Sequence, residues 1–507
     1  KREFVFSSDT APVVTELCRR LDGIPLAIEL AAARLQVMAP AEILARLDER
    51  FRLLTGGRRT VLERHQTLRG AIDWSYALLD PVEQIVFRRL AVFAGGFTLD
   101  AAEAVTAGEG AEPHDVLNHL ASLVAKSMVV TDDTDAGTRY RLLDTLREYA
   151  WERLDELDDA PRIHALHAEH FLALVDAAAA PLRGPDDENW CFRLDNEQDN
   201  LRAALGWARD HDQPETLIRL VQGLELYWYQ GNRARESYEW NRAALEHAPH
   251  VPAEVRADLL GFAGFAANGV GGVEESIGFN RASIECSREA GRPPMSIALA
   301  FLGIAMIESN HPEAGIAYCD EALDAAREHG DTWDQVHALH FLALACCLGN
   351  ERERGRTLTD EALAGGRRLG NHYLVAQALF TAGLARVDTE PEVAVGLFEE
   401  SDRATRIRSI NRLGQTAFFR GIAYLRLGKP PEAARSLRAS LPFMQETGSD
   451  YFTSNVVGVT AAMLARTAPG AATRLLAALD RFTTESGIPG APDAVASQQR
   501  TRARVEQ

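Results

Sequence analysis

The sequence has few of the features that mark several large classes of protein. Basic residues are in deficit, since 54 Lys and Arg against 73 Asp and Glu give the 507 residues a formal net charge of −19. A free-standing nucleic-acid-binding protein is more often basic, which argues against DNA as the main partner. No apolar run approaches the roughly 18 residues that a membrane-spanning helix needs, and no signal peptide opens the chain. We therefore expect a cytoplasmic protein with no membrane partner.

Cysteine pairs and catalytic motifs are also missing from the sequence. The six cysteines form no Cys-x-x-Cys pair, and they are typical of reduced thiols inside helices. There is no GxxxxGKS or GxxxxGKT loop to hold phosphates, no HExxH motif and no GxSxG motif. We therefore expect that the chain is not an enzyme, holds no metal and does not hydrolyse ATP.

A repeat of about 40 residues runs from about Arg242 to Gly487. Small residues recur at 39, 40, 40, 39 and 38 residues, at Ala243, Ala282, Ala322, Ala362, Ser401 and Ala439. A second aligned set of small residues lies at Gly303, Ala343, Gly383 and Gly421. Short side chains at fixed positions allow two helices to cross closely. The pattern predicts stacked helix pairs and resembles tetratricopeptide repeats, an array that usually binds a partner on its concave face.

Two further features of the repeats allow specific predictions. Glycines end most units and predict left-handed helix caps, at Gly291, Gly330, Gly370 and Gly448. Aromatic residues cluster near the first repeats, at Tyr227, Trp228, Tyr229 and Trp240. Packing between helices is one interpretation of this cluster, and an exposed anchor for a partner is the other.

The first 58 residues are predicted to form a small helical subdomain. A helix is predicted over residues 10–22, and Pro40 is predicted to open a third helix. Between them, Gly23-Ile24-Pro25-Leu26 resembles the GLPL motif of NB-ARC proteins, which belong to the STAND signalling ATPases. The resemblance implies that Gly23, Pro25 and Leu26 lie beside a nucleotide, with Pro25 near the adenine. The alternative is a helical corner that binds no ligand.

Residues 59–150 resemble the winged helix that follows in this family, most closely at residues 67–76. Asp80-Pro81-Val82-Glu83 predicts a capped helix. A third helix is predicted over 114–126, followed by wing strands at 128–130 and 140–143 and an Asp-rich turn at 132–137. The third helix offers only Lys126 and His114 or His119 as basic groups, too few for a helix that reads DNA. In the family this domain is instead a clamp that closes on the nucleotide-binding domain when ADP is bound.

The family's clamp ends in an MHD motif, whose histidine contacts the nucleotide phosphates. The matching stretch here is Leu142-Leu143-Asp144. By resemblance Asp144 is a candidate cofactor-binding residue, whereas Leu143 cannot donate a hydrogen bond to phosphate. Bacterial transcriptional regulators of this architecture, the LuxR- or SARP-like predicted ATPases, commonly show this departure.

Residues 151–190 are predicted to be linker helices, and 191–490 the repeat array. His164, His167 and His170 recur every three residues, which favours a packed or solvated helix face over a metal site. The stretch 195–205 resembles the start of the repeat region in these regulators. Residues 491–507 are predicted to be a tail or linker. The predicted fold is therefore mainly α-helical: a helical ARC subdomain, a winged helix with a small β-hairpin, and an α-solenoid.

Three hypotheses for function follow. In the first, the chain is the regulatory and sensor part of a STAND-type transcriptional regulator: the array binds a protein or small-molecule inducer, and the winged helix clamps an intramolecular nucleotide-binding domain. ADP or ATP then binds the full-length parent but not this chain alone, and DNA is contacted only by a module outside the chain. In the second, the chain is a stand-alone scaffold for protein–protein interaction. In the third, it is part of an active ATPase or nucleotide cyclase. Because no Met precedes Lys1, we expect a larger protein.

Overall fold

Almost all of the regular structure in this protein is α-helical. The structure is a computed structural model, and it describes residues 10–21, 25–45, 61–108, 110–134, 137–157, 159–246, 251–270, 272–406, 410–447, 450–465 and 468–486. The chain divides into two compact units, of which the first comprises residues 1–174 and 196–212 and the second residues 175–195 and 213–507. The mainly helical fold class predicted from the sequence is confirmed.

The first unit opens with short helices that pack on one long helix. These are α1 (Ala11–Arg20), α2 (Pro25–Ala33), α3 (40–45) and the long helix α4 (Val61–Ala77). Ala27 and Ala31 of α2 share an apolar cluster with Trp74 of α4. Arg34, which is buried, donates from Nη2 to the Ser75 carbonyl at 3.1 Å. Burial of apolar area, together with this hydrogen bond from the residue that follows α2, therefore holds α2 against α4.

The next part of the first unit is a winged helix. Its elements are α5 (Pro81–Arg89), β1 (Gly96–Phe97), α6 (Leu99–Thr106), α7 (Val116–Ala125), β2 (Val130–Thr134) and β3 (Gly137–Arg141). The antiparallel sheet has the order β1-β3-β2. The predicted capping box at α5 is confirmed, since Asp80 and Glu83 each accept the other's backbone N–H at 2.8 Å. Helices α8 (Asp144–Asp155), α9 (Ala160–Ala178) and α11 (Gln198–Asp210) follow.

The wing differs in detail from the prediction. Strand β2 runs through the Asp-rich stretch that the sequence assigns to a turn, and β1 adds a third strand. Aspartate has a low strand propensity, but cross-strand partners offset it here. The Arg141 Nε donates to Asp132 at 2.8 Å, and the Thr138 hydroxyl donates to Asp133 at 3.2 Å.

The second unit is a succession of helix pairs that begins after α10 (Asp187–Asn196). Consecutive helices pack against each other along its length. They are α12 (Pro214–Gln230), α13 (Ala234–Leu245), α14 (Ala253–Gly269), α15 (Val273–Glu289), α16 (Ser296–Glu308), α17 (Pro312–His329), α18 (Thr332–Leu348), α19 (Arg352–Leu369), α20 (His372–Arg386), α21 (Pro391–Arg403), α22 (Ile410–Arg426), α23 (Pro430–Thr447), α24 (Asp450–Leu464) and α25 (Pro469–Ser486).

The small residues of the repeats lie where helices meet, with one correction. Ala322, Ala362 and Ser401 are fully buried as predicted, whereas Ala243 and Ala282 are half-buried and Ala439 is exposed. In those three units the next residue takes the buried place. The buried set is Ala244, Ser283, Ala322, Ala362, Ser401 and Ser440, spaced 39, 39, 40, 39 and 39 residues apart. The small residues that are buried are thus spaced more evenly along the chain than the small residues chosen from the sequence pattern.

Glycine caps and aromatic packing complete the array. Gly330 and Gly370 cap α17 and α19 with φ of 77° and 68°, which confirms the left-handed caps predicted there. Gly291, with φ of 70°, follows the end of α15, and Gly448 lies outside the described residues. Tyr227, Trp228 and Tyr229 are buried, which confirms the packing interpretation for these three, while Trp240 is half-buried.

Tyr229 lies at the centre of the interior of the array. Its ring packs edge-on to Phe265, Phe301 and Tyr373, with centroids 4.8 to 6.1 Å apart. Its hydroxyl is hydrogen-bonded to His337 Nε2 at 2.6 Å, across 108 residues of sequence. One side chain from α12 therefore touches α14, α16, α18 and α20.

A buried carboxyl on α12 makes the stability of the array sensitive to pH. Burial raises the pKa of Glu225 to about 8 from its ordinary 4.5, against the opposing effect of hydrogen bonds from Asn241 and Ser237. Above pH 4.5 the unfolded chain loses this proton before the folded chain does, so stability falls as pH rises toward 8. We expect Glu225→Gln to remove the Glu225 contribution to that fall, to leave a smaller one from Glu308, whose pKa burial raises to about 7, and to stabilise the array at pH 9 by at most about 5 kcal/mol. Urea unfolding followed by circular dichroism at pH 5, 7 and 9 tests this.

The exposed Glu239 on α13 offers a matched control for that substitution. Glu239→Gln is expected to leave the pH dependence of the urea midpoint unchanged. A Glu225→Gln protein that loses stability between pH 5 and pH 9 as steeply as the wild type would contradict the assignment.

Candidate functional site: the winged-helix unit

The candidate nucleotide residues lie on two helices that share one packing partner. Pro25 is the first residue of α2 and is exposed, Leu26 follows it in the helix, and Gly23 lies outside the described residues. Asp144 is the first residue of α8 and is exposed. Helix α2 packs on α4 as described above, and α8 is joined to α4 by the Tyr149 hydroxyl, which donates to Asp73 at 2.7 Å. Helix α4 therefore positions both candidate residues.

Leu143 occupies the N-cap of α8 with an extended backbone, and its side chain makes no cap hydrogen bond. Its carbonyl accepts the backbone N–H groups of Leu146 and Arg147, each at 2.8 Å. The side chain at the family's histidine position is thus half-buried and apolar. Polar side chains at this turn are those of its exposed neighbours Asp144 and Thr145.

The third helix of the winged helix, α7, has its one cation neutralised inside the domain. Lys126 follows the end of α7 and is ion-paired with Glu83, whose side chain is only 3% exposed. Ser122 also donates to Glu83, at 2.5 Å. Although burial acts to raise it, hydrogen bonds from Lys126, Ser122 and the Asp80 backbone hold the pKa of Glu83 below its ordinary value. Lys126 is therefore committed to the fold.

The outward face of α7 carries no charge. Its exposed residues are Leu117, Asn118, Ala121 and Ala125, and the Leu117 side chain is 46% exposed. A helix that enters the major groove usually presents several Arg or Lys side chains to phosphates. This face instead has the chemistry of a protein contact.

The cations of the wing are also paired. Arg141 bonds Asp132 across the ribbon, and Arg139 is ion-paired with Glu197 of the segment before α11. Arg139 Nη2 also donates to the Gly96 carbonyl at 2.9 Å. Helix α11 adds Asn200, which accepts from the Ala94 N–H and donates to the Gly96 carbonyl, both at 2.8 Å.

Residues 196–212 therefore belong with the winged helix, whereas the sequence prediction places them at the start of the array. A run of alternating acidic and amide side chains at 195–200 gave no sign of this, because its partners lie about 100 residues earlier. The hydrogen bonds of the buried Asn200 to the backbone of residues 94 and 96 cannot be inferred from the sequence, because no motif links the two stretches.

A cavity of about 600 Å³ lies among α8, α9 and α11. Its lining includes Trp151, Leu154, His164, His167, Ala203 and Trp207. The ring centroid of His164 is 4.9 Å from Trp151 and 6.1 Å from Trp207. Sequence reasoning missed Trp207 as a member of this group, since it lies 43 residues from His164 and no motif joins them.

Two histidines of α9, His164 and His167, are packed among aromatic rings, and burial lowers the pKa of each. Burial, with a smaller effect of His211, lowers the pKa of His164 to about 4. Burial also lowers the pKa of His167 to about 3, and its ring packs on Phe93 and Phe171. These contacts are those of a packed helix face, which is one of the two alternatives to a metal site that the sequence left open. Within the described ranges, no group of three His, Cys, Asp or Glu side chains has the arrangement of a metal site.

Among the helices that the structure describes, none is both long and apolar enough to cross a lipid bilayer.

Comparison with known proteins places the winged helix in a family of domains. Residues 79–155 match the winged helix-turn-helix domain family. A Mycobacterium tuberculosis protein named as a candidate HTH-type transcriptional regulator is 40% identical over 345 residues, which cover 66% of this chain and 39% of that protein. An uncharacterised M. tuberculosis protein is 46% identical over 172 residues, which cover 34% of this chain and 44% of that protein.

Two solved structures are similar at low sequence identity. A Rap protein in complex with competence and sporulation factor has a TM-score of 0.47 and 14% identity, covering 67% of this chain and 93% of that one. A STAND protein with a tetratricopeptide repeat sensor from Pyrococcus horikoshii has a TM-score of 0.44 and 13% identity, covering 95% of this chain and 72% of that one. The chain itself thus carries a winged helix domain and a helical-repeat array, and it spans about two fifths of the longer curated relative.

Proposed function

We propose that the chain is the regulatory and sensor part of a STAND-type transcriptional regulator. The winged helix acts on a nucleotide-binding domain of the same parent protein, and the repeat array receives a protein or small-molecule inducer. The main support for this proposal is the uncharged surface of α7. Lys126 is paired with the buried Glu83, and the exposed residues of the helix are Leu117, Asn118, Ala121 and Ala125. That face suits a protein surface better than a DNA groove.

The length of the M. tuberculosis relative supports the proposal that this regulatory part works within a longer protein. The aligned region covers 39% of the M. tuberculosis protein, so more than half of that protein lies outside it. In the proposal, the corresponding part of the full-length protein contains a module that contacts DNA. It also contains the nucleotide-binding domain that holds ADP or ATP. In the proposal this chain, whose sequence has no GxxxxGKS or GxxxxGKT motif, contributes contacts to a nucleotide that is held mainly by that other part.

Asp144 is the proposed point of contact with the nucleotide-binding domain. It is exposed in the first turn of α8, and Pro25 is exposed at the first turn of α2, so neither is committed to the core of this unit. The family resemblance assigns both positions to the nucleotide side of the clamp. Loss of the Asp144 carboxylate then weakens the closed, ADP-bound state.

In the full-length parent, we expect Asp144→Ala to speed the release of a fluorescent ADP analogue by about tenfold, a coupling in the usual range for allosteric proteins. Stopped-flow displacement by unlabelled ADP measures the rate. Glu148→Ala, one turn further along the same exposed face of α8, is the matched control and is expected to leave the rate unchanged.

The isolated chain provides the second arm of this test. Titration calorimetry with ADP is expected to give no binding heat, and duplex DNA is expected to give no mobility shift. Micromolar ADP affinity or a DNA complex at physiological salt would contradict the proposal. A parent that binds no nucleotide would instead support a stand-alone repeat scaffold.

A further inference from the structure

A short stretch before and within α10 is bound to the repeat array. We call residues 181–193 the inserted segment; it begins with the 3-10 helix Pro181–Arg183 and continues into α10. Residues 175–195 belong to the second unit, while the chain up to 174 and the chain from 196 to 212 belong to the first. The segment therefore belongs to the same unit as the array, while the chain on either side of it belongs to the first unit.

The array holds the backbone of the inserted segment. The Leu182 carbonyl accepts from Gln230 Nε2 at 2.8 Å and from Asn371 Nδ2 at 3.1 Å. The same Asn371 Nδ2 donates to the Gly184 carbonyl at 3.1 Å. Asn371 is fully buried, and the approach is so close that a Cβ added at Gly370 would lie 3.0 Å from Pro185. These bonds recognise the backbone carbonyls of a 3-10 turn and of the glycine that follows it, and they do not depend on the side chains there.

Two adjacent carboxylates of the segment are bound by groups of the array. Asp187 is fully buried and accepts from the Tyr373 N–H at 3.0 Å and from His372 Nδ1 at 2.7 Å. This places an anion at the first turn of α20, where free N–H groups favour negative charge. Glu188 is 4% exposed and accepts from the backbone N–H of Arg406 and, at 2.8 Å, from its Nε. Each buried charge thus has a charged or polar partner, as burial requires.

A cation of the segment is bound one repeat earlier. Arg183 Nη1 donates to Asp334 at 3.0 Å and lies 3.3 Å from Asp331. Its guanidinium carbon is 5.1 Å from the centroid of the Trp333 ring, a cation–π distance.

The receiving groups occupy equivalent places in successive repeats. Asp331 caps α18 and Asn371 caps α20, and the residues two positions on are Trp333 and Tyr373. Two parts of the site are therefore generated by the repeat itself, with acidic groups for Arg183 in one repeat and donors for Asp187 in the next. The third part is Arg406, which binds Glu188 and lies between α21 and α22. A peptide with the same order of charges can meet the same groups.

We propose that this surface is the partner-binding site of the array, that the inserted segment occupies it in cis, and that the partner is a peptide segment with an arginine followed by two adjacent carboxylates. The proposal deepens the function proposed above, in which the array receives an inducer. Because the segment is continuous with the winged-helix unit at both ends, its exchange for a partner peptide carries the signal from one unit to the other.

The inserted segment competes with an external peptide, and the length of chain that attaches it to the array determines how strongly it weakens binding of that peptide. A short tether gives an effective concentration near 1 mM, so with an intrinsic dissociation constant of about 10 µM an external peptide binds about a hundredfold more weakly while the cis segment is in place. Removing the cis carboxylates should restore most of that factor.

The test uses the whole chain and a fluorescein-labelled peptide with the sequence of residues 181–190. In fluorescence anisotropy, a chain carrying Asp187→Ala and Glu188→Ala is expected to bind the peptide about a hundredfold more tightly than the wild-type chain. A chain carrying Arg183→Ala, which frees the other end of the segment, is expected to gain affinity as well. A peptide with both carboxylates replaced by alanine is the matched control and should not bind, and adding Asn371→Ala to the released chain should abolish binding.

Released variants that keep the wild-type circular dichroism spectrum and bind the peptide no better than the wild type would overturn the proposal. A released chain that forms dimers in light scattering and takes up no peptide would overturn it too, since the site would then accept only a second copy. The readout needs no nucleotide, so failure here is separate from failure of the ADP-release experiment.

Discussion

Replacing Gly303 with alanine is expected to lower the free energy of unfolding of the array by about 3 kcal/mol. Gly303 of α16 faces Gly315 of α17 where the two helices cross. A Cβ added at Gly303 would lie 2.5 Å from Cys319 Sγ and 2.6 Å from the Gly315 carbonyl oxygen. Cys319 is fully buried and the carbonyl is backbone, so neither group can move aside without separating the helices.

Gly278 provides the matched control for Gly303→Ala. It lies inside α15, and a Cβ added there would have no neighbour within 4 Å. Gly278→Ala is expected to stabilise the array by about 0.5–1 kcal/mol, because alanine loses less backbone entropy in a helix. Urea unfolding followed by the helical signal measures both variants. Equal stability of the two alanine variants would show that the helices are not in contact at Gly303.

The second large effect is expected at the buried ion pair of the winged helix. Glu83→Ala should destabilise the first unit by about 3–5 kcal/mol, the usual cost of removing one partner of a buried pair. The substitution removes the acceptor of Lys126 and Ser122 and also one half of the capping box of α5. Differential scanning calorimetry of the whole chain follows the transition of this unit.

A double-mutant cycle separates the pair from the cap. Lys126→Met alone leaves Glu83 buried without its cation, and combining it with Glu83→Ala should restore part of the loss, so that the two effects are not additive. Because the pKa of Glu83 is depressed in the folded chain, its stabilisation is present above the unfolded value near 4.5 and is lost as pH falls through the folded value. Additive effects of the two substitutions would contradict the pairing.

The repeat architecture could be predicted because its cause is local and recurs. A small residue every 39 or 40 residues and a glycine at the end of a unit each have a direct steric reason, and Gly330 and Gly370 adopt the left-handed conformation expected of them. The capping box at Asp80 and Glu83 was predictable for the same reason. The one-residue error at Ala243, Ala282 and Ala439 arose because two adjacent small residues cannot be ranked by size alone.

The remaining features depend on partners far away in sequence. The extension of β2 through Asp132 and Asp133 needs Arg141 and Thr138 opposite, and propensity alone predicts a turn. The binding of residues 181–193 depends on Asn371 and Arg406, about 190 and 220 residues away. Composition marks that stretch only as a linker, because its Pro, Gly and Asp residues are also typical of loops.

The candidate cofactor residues remain a prediction from resemblance. In the structure Pro25 is the first residue of α2 and Asp144 is the first residue of α8. The sequence did not predict the ion pair between Lys126 and Glu83, because a glutamate that caps a helix gives no indication of a second partner 43 residues later. That pairing leaves the exposed residues of α7 without a charged side chain.

The contacts of Tyr229 bear on how this array can evolve. Tandem repeats commonly lengthen or shorten by duplication or deletion of whole units, because each unit touches only its neighbours. Here a tyrosine in α12 meets side chains of four later helices, including a histidine 108 residues downstream. Gain or loss of one unit between them would move His337 away from the Tyr229 hydroxyl and break the hydrogen bond that joins them.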